Sequence, residues 1–412
     1  MSTSPPSSSH LLALDDALAR LLGAAHPLGA PERVSTFEAL GRVLAEDVRS
    51  ALDVPPADNS AMDGYAIRCA DVPAAGTILR VSQRIPAGVV GGPLVPGTAA
   101  RIFTGAQIPS GADAVVMQEQ CVPVDEGVRI DAVPVPGQSI RQRGEDVRRD
   151  AIVLRAGERL RPQHLGLAAS VGAGMLAVAR RPRVALFSTG DELAMPGEAL
   201  KPGAIYNSNR YTLRGLVQAL GCPCEDIGIV PDDLAATREA LRRAATGNDV
   251  IVTCGGVSVG EEDHLKPALR AEGRLDLWSI AIKPGKPLAF GEVRRVDGST
   301  AWYIGLPGNP VSAFVTFVLT VRPFLLQLQG TADVQVRPQA ARADFDWLRP
   351  DRRREFLRVR RNGEGGLDLY PNQSSGVLTS VAWADGLVDN PPARAIRRGD
   401  TVAFLPMTEF LA

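Results

Sequence analysis

Cysteine is scarce in this chain, with five among 412 residues, an odd number at scattered positions. That excludes a disulfide-stapled scaffold and suits a reducing compartment, so a cytoplasmic setting is expected. Cys222 and Cys224 stand one residue apart with no Cys or His cluster beside them, which leaves a zinc site without its ligands. Histidine is scarcer still. His10, His26, His164 and His264 are all there are, none in a triad-like context, so covalent catalysis through an activated serine has no basis here. Neither sign of charge dominates, with 45 Lys plus Arg against 46 Asp plus Glu. That balance gives no electrostatic reason to expect nucleic acid or a membrane surface as partner. No apolar run approaches the roughly 20 residues that span a bilayer. Residues 1–10 lack a basic start and an apolar core, and their Ser/Pro-rich composition predicts a disordered tail rather than a signal peptide.

What is present is ample core material, 45% hydrophobic residues over a length that calls for several domains. One stretch organises the rest. Residues 250–253 form a short apolar run suited to a buried parallel strand. Gly255, Gly256 and Gly260 follow within six residues, with the Ser258 hydroxyl among them. Glycines let the backbone approach a ligand closely. Leu265 and Leu269 then start a helix, whose free N–H groups suit a phosphate. Asp263 in the same turn predicts a divalent cation between carboxylate and phosphate. Taken alone, these residues fit an ordinary strand-to-helix turn about equally well.

Residues 11–22 have the spacing of an amphipathic helix. Residues 53–66 hold adjacent prolines and turn-forming Asp58, Asn59, Ser60, Asp63 and Gly64, which reads as a rigid connection or a loop carrying carboxylates into a cleft. From 67 to 140, short apolar runs broken by Gly and Pro predict a small β-rich insertion, with Thr104 at a strand end. Arg141, Arg143, Glu145 and Asp146 follow as a charge cluster, and residues 147–180 return to the first domain.

From residue 183 strands and helices alternate, and the strands run out into Glu192, into Asp232 and into the glycine turn. In an open parallel sheet ligands bind at the carboxyl ends of strands, so Glu192, Asp232 and Asp263 are expected to converge. Each alone would fit a helix cap or first-turn acid. Lys283 and Lys286, each followed by proline, predict a stiff loop offering two ammonium groups to an oxyanion. Pro307, Gly308, Asn309 and Pro310 lead into a helix that Asn309 is expected to cap. Residues 354–360 alternate as a strand, with Leu357 and Val359 on one face and Arg354, Arg358 and Arg360 on a solvated one.

The expected fold is multidomain α/β. A central open three-layer α/β domain of mostly parallel sheet, with its ligand site at the strand C-termini, spans 181–329. A β-rich insertion spans 50–139, a mixed helical N-terminal domain combines 11–49 with 140–180, and a C-terminal β domain spans 330–412.

Seven motifs occur in one order: Asp-Asn-Ser-Ala-Met-Asp-Gly-Tyr at 58–65, Thr-Gly at 104–105, Arg-Gly-Glu-Asp at 143–146, Ser-Thr-Gly-Asp-Glu at 188–192, Gly-Gly-Val-Ser-Val-Gly at 255–260, Lys-Pro-Gly-Lys-Pro at 283–287 and Leu-Pro-Gly-Asn-Pro at 306–310. In that combination the chain closely resembles the molybdopterin molybdenumtransferase family, related to the C-terminal domain of gephyrin, over nearly its whole length.

The resemblance implies an enzyme that takes adenylylated molybdopterin and molybdate, cleaves the adenylate with Mg²⁺, inserts molybdenum into the dithiolene and releases molybdenum cofactor and AMP. It implies a homodimer with the active site between subunits. Carried over by motif, it assigns catalytic roles to Asp63, Thr104, Glu192, Asp232, Asp263 and Lys283. It assigns substrate binding to Gly255, Gly256, Ser258, Gly260, Lys286, Pro307, Gly308 and Asn309, with Arg354 and Ser375 from the last domain. Metal binding falls to Asp146, Glu192, Asp232 and Asp263. Two departures touch substrate contacts. Ser279 stands where many relatives carry lysine, and residues 372–376 read Asn-Gln-Ser-Ser-Gly where relatives often have Gly-Gln-Gly-Ser.

Two other readings compete. A molybdopterin adenylyltransferase, also the expected delivery partner, has a domain similar to 180–330 but usually lacks the insertion and the last domain. A non-catalytic gephyrin-like scaffold would not need the acidic strand ends.

Overall fold

The computed structural model describes residues 11–256 and 264–411. Ser258, Gly260 and Asp263, like the tail 1–10, lie outside the described residues.

The central unit runs β1 (Val184–Thr189), α1 (Ser208–Ala219), β2 (Cys224–Val230), α2 (Leu234–Ala245), β3 (Val250–Cys254), α3 (Leu265–Glu272), β4 (Gly273–Ser279), β5 (Pro287–Arg294), β6 (Thr300–Leu306) and α4 (Pro310–Thr316). The strands form one six-stranded sheet in the order β2-β1-β3-β6-β5-β4. β2, β1, β3 and β6 pair in parallel, while β5 is antiparallel to both β6 and β4. Every residue of β1 and of β3 is buried, as expected where helices cover both faces. Alternation assigns the faces. Val184, Leu186, Val250 and Val252 pack with α1 and α4, whereas Ala185, Phe187 and Ile251 pack with α2 and α3. Three layers result, with the strand ends pointing to one edge.

Several sequence expectations change here. The 281–290 stretch is not one stiff loop. Ile282–Lys283 forms a short strand, paired in parallel with Arg354–Arg361, and β5 begins at Pro287. α4 continues through a π-helical segment, Phe317–Val321, into Arg322–Leu328. The resulting 19-residue helix, Pro310–Leu328, is by composition long and apolar enough to cross a membrane, contrary to the reading that no run came close. Its most apolar window is 89% buried inside the protein, so the core accounts for its composition.

The helix Leu14–Ala24 is a third correction. Leu14, Ala17 and Leu21 join the core of the central unit with Phe317 and Leu325, not the small core of the N-terminal segments. Its apolar stripe needs a complementary apolar surface, and the 310–328 helix provides one.

Ala39, Leu44 and Val48 instead share a core with Val147, Leu154, Leu160, Leu176 and Val178. Between these two stretches the chain builds a six-stranded sheet, in the order Ala114–Met117, Gly64–Ile67, Thr98–Ile102, Thr77–Ile85, Gly127–Ile130, Cys121–Val124.

Near the C-terminus, Gln339–Ala343, Arg354–Arg361, Gly366–Leu369, Gly386–Asn390 and Thr401–Pro406 close into a barrel, because Arg354–Arg361 pairs with both Gly366–Leu369 and Gly386–Asn390. Arg358 does not lie on a solvated face. It is fully buried, donating to Ser380 Oγ, Phe356 O and Ser374 O, and burial lowers its pKa to about 10. Five satisfiable donors let a guanidinium stay inside where carbonyls surround it.

Candidate active site

A cleft of about 1070 Å³ opens where β1, β3 and β6 end. Its floor is the turn after β3. Gly255 and Gly256 both have left-handed backbone, at φ 97° and 65°. A Cβ on Gly255 would lie 2.8 Å from Thr189 O, and one on Gly256 would lie 3.0 Å from Thr189 Oγ1, so no side chain fits between this turn and β1. Asn209, in the first turn of α1, pins the floor by donating its amide to Cys254 Sγ at 3.0 Å and Gly308 O at 2.7 Å. Burial raises the Cys254 thiol to about 12, which removes it as a nucleophile.

Three buried polar atoms on this floor have no partner among the described residues: Ser188 Oγ, Asn207 Nδ2 and Asn209 Oδ1. A buried polar group left unpaired costs about 1–3 kcal/mol, so this end of the cleft is built for something polar. Sequence reasoning passed over all three. The signal was the Asn-Ser-Asn run at 207–209, opening a helix beside an acidic strand end. Asn207 caps α1, accepting from Arg210 N at 3.2 Å, and its amide remains.

One wall is acidic. Glu192 and Asp232 both line the cleft, and Asp232 N–H donates to Asp191 Oδ1 at 3.1 Å. The Asp232 pKa is raised by partial burial, then by the Asp191 charge, with Glu192 adding to it. Neighbouring Asp233 is a plain cap, accepting from Ala236 N at 2.8 Å. Among the described residues no three His, Cys, Asp or Glu side chains form a metal-holding group. Mg²⁺ binds through one or two carboxylates and keeps several waters, and Glu192 with Asp232 fits that demand.

Three cations, Lys283, Lys286 and Arg353, line the same cleft as a basic wall. Lys283 Nζ lies 3.3 Å from Glu355 Oε1 and 3.4 Å from Asp351 Oδ2. Arg353 is bidentate on Asp351, at 2.9 and 3.0 Å, and holds that carboxyl well below the usual carboxylate range. Arg354, expected to bind substrate, is not among the residues lining this cleft, whereas its neighbour Arg353 is. The Arg354 guanidinium is bidentate on Asp389, at 2.7 and 2.6 Å, and reaches Asp15 at 3.0 Å, tying the N-terminal helix to the barrel. Arg353 lies in the bend before the strand that Arg354 opens, and the two guanidiniums engage different carboxylates, Asp351 and Asp389.

Pro307, Gly308, Asn309 and Ser375 line the same cleft. Asn309 stands at the N-cap of α4 without a side-chain cap bond, contrary to expectation. Ser375 is docked by its carbonyl, which accepts from Val311 N at 3.0 Å. The loop around it is fixed from below, where Gln373 Oε1 accepts from Arg358 N at 2.9 Å and Gln373 Nε2 donates to Arg358 O at 3.0 Å.

Asp63, Thr104 and Asp146 do not line this cleft. Thr104 donates its N–H and its hydroxyl to Asp63 Oδ1, both at 2.8 Å, which lowers the Asp63 pKa. Asp146 lies in the neighbouring turn, its N–H donating to Val54 O at 3.0 Å, while Arg143 N donates to Asp58 Oδ1 at 2.7 Å. Asp63 and Thr104 form one contact pair, and Asp146 lies in a turn hydrogen-bonded to Val54, both outside the cleft. The carried-over set thus divides in two within one chain.

A mixed α/β sheet with a cleft at its strand ends, flanked by a β insertion and a closed β barrel, defines a multidomain α/β protein with its candidate ligand site at the strand ends. Comparison with known proteins narrows this. The chain is 36% identical to the molybdopterin molybdenumtransferase of Haemophilus influenzae, across 97% of this chain and 100% of that one. It belongs to the molybdopterin molybdenumtransferase family.

Residues 12–172 match the MoeA N-terminal region (domain I and II), 185–327 a probable molybdopterin binding domain, and 340–407 the MoeA C-terminal region (domain IV). Molybdopterin molybdenumtransferase 2 of Mycobacterium tuberculosis is 37% identical, covering 91% of this chain and 93% of that protein. The crystal structure of the molybdopterin biosynthesis moeA protein from Pyrococcus horikoshii OT3 superposes with a TM-score of 0.84 at 31% identity, covering 96% of this chain and all of the other.

Proposed function

We propose that this chain inserts molybdate into adenylylated molybdopterin with release of AMP, giving molybdenum cofactor. The observation that carries this reading is the single cleft with an acidic wall, a glycine floor and a wall of three cations. A phosphate-bearing ligand can lie against the Gly255–Gly256 backbone, while a tetrahedral dianion meets Lys283, Lys286 and Arg353. The unpaired Ser188, Asn207 and Asn209 atoms add donors and acceptors for a polar ligand. Relatives named molybdopterin molybdenumtransferase support molybdopterin and molybdate as substrates, and the adenylylated form is part of the proposal.

Glu192 and Asp232 would hold a Mg²⁺ ion, which when bound supplies charge stabilisation to the leaving phosphate. The chain's own residues do the positioning. The glycine floor brings backbone close to the substrate, Asn209 keeps it rigid, and the lysines and Arg353 orient the oxyanion.

The working form is a homodimer in the cytoplasm, with the molybdopterin adenylyltransferase as delivery partner. The Asp63, Thr104 and Asp146 group of a second copy completes the cleft, a reading supported by its absence from the cleft of its own chain. The test is AMP release from adenylylated molybdopterin. It should require molybdate, stop with a chelator and resume with Mg²⁺. Release of AMP without molybdenum incorporation would reject the reading.

A further inference from the structure

Asp351 Oδ2 lies 2.9 Å from Arg353 Nη2 and 3.4 Å from Lys283 Nζ, so one carboxylate oxygen bridges two cations of the basic wall. A second carboxylate, Glu355, reaches the same lysine at 3.3 Å. With Lys283 and Arg353 counted against Asp351 and Glu355, this group is electrically neutral at rest.

The two carboxylates are built differently. The Glu355 side chain is 1% exposed, and its second oxygen accepts from Trp347 Nε1 at 2.8 Å and Asn390 Nδ2 at 3.4 Å. It is a fixed part of the barrel. The Asp351 side chain is 24% exposed, and its oxygens are engaged by Arg353, through guanidinium and backbone N–H, and by Lys283. It stands just before Arg354–Arg361; Lys283 and Arg353 line the cleft, and Asp351, which does not, holds both of them.

We propose that Asp351 is an internal competitor for the oxyanion, bridging Lys283 and Arg353 until a tetrahedral dianion displaces it. The inference rests on the reading of the basic wall as the oxyanion site. Exchange of one carboxylate oxygen for one oxygen of a monoanion gains nothing in charge. A dianion doubles the Coulomb attraction at the same contacts. Asp351 therefore sets both affinity and selectivity, holding off chloride and carboxylates while admitting molybdate, which is specificity by competition.

The test is calorimetric titration of the full-length protein with sodium molybdate alone, with no pterin present, in low and high chloride. Asp351→Asn keeps shape and removes the charge. It should bind molybdate about tenfold more tightly, the low end of the effect of one charge-assisted contact. The variant should also lose more affinity to added chloride than the wild type does. Asp351→Ser, smaller and equally neutral, guards against a folding artefact and should act the same way. Unchanged or weaker binding in either folded variant overturns the competitor role.

Lys283→Ala separates this failure from failure of the site itself. If Lys283→Ala weakens molybdate binding at least tenfold and Asp351→Asn does not tighten it, only the competitor role falls. If the wild type binds no molybdate, or Lys283→Ala leaves binding unchanged, the oxyanion-site reading falls and this inference with it.

Discussion

Asp232 N–H donates to Asp191 Oδ1 at 3.1 Å, and this contact brings the loop after β2 against the loop after β1. The Asp232 pKa is raised first by partial burial and then by the Asp191 charge, with Glu192 adding to it. A group whose folded pKa is raised contributes stability below its unfolded pKa and loses it as pH rises through the folded value. Without divalent metal, Asp232→Asn should therefore be as stable as the wild type or slightly more so at pH 7. The difference should vanish at acidic pH, where Asp232 is protonated. Mg²⁺ should raise the melting temperature of the wild type and not of the variant, and AMP release should fall at least about 100-fold, or roughly 2.7 kcal/mol of barrier. Thermal scans at two pH values with and without Mg²⁺ check all of this. Equal Mg²⁺ stabilisation of both proteins would remove Asp232 from the metal site.

Lys283→Ala takes one cation from the basic wall and leaves the prolines in place. A charge-assisted contact contributes about 1.5–3 kcal/mol, so the molybdate concentration for half-maximal AMP release should rise about 10- to 100-fold. Binding of adenylylated pterin should change less. A reversed pattern would move Lys283 to the phosphate site.

Arg354→Ala should behave as a stability variant. The Arg354 and Asp389 side chains are 29% and 11% exposed, while Asp15 is 81% exposed and adds little. Loss of the guanidinium from a partly buried pair should cost about 1–3 kcal/mol, below the range for fully buried pairs. Denaturant melts give that number. The molybdate dependence of the folded variant should match the wild type, and a tenfold shift would return Arg354 to the substrate site.

The division between the cleft and the Asp63, Thr104 and Asp146 group leads to a complementation test. Asp63→Ala and Asp232→Asn should each be nearly inactive as pure proteins. Co-expressed, they should regain about a quarter of wild-type AMP release, since random mixing makes half the molecules hetero-dimers with one intact site each. No recovery, with hetero-dimers isolated by differential tags, would place both groups in one subunit's site.

Local pattern was enough for the three-layer unit. Unbroken apolar runs at residues 184–187 and 250–253, the 3.6-residue spacing of α1, and glycine at 255 and 256 are short-range signals. They carried the strand ends, the glycine floor and the convergence of Glu192 and Asp232 on one cleft. Other features depended on contacts far apart in the chain. Arg354 meets Asp15 across 339 positions and Lys283 meets Glu355 across 72, so no window of sequence could tell that Arg353, not its neighbour, faces the cleft. Arg358 reads as a surface charge until the carbonyls around it are in place. The partner of the Leu14–Ala24 helix was likewise open, because an apolar stripe states that it must be covered and not by what. Periodicity records which side of an element is buried, and only the assembled chain decides what lies against it.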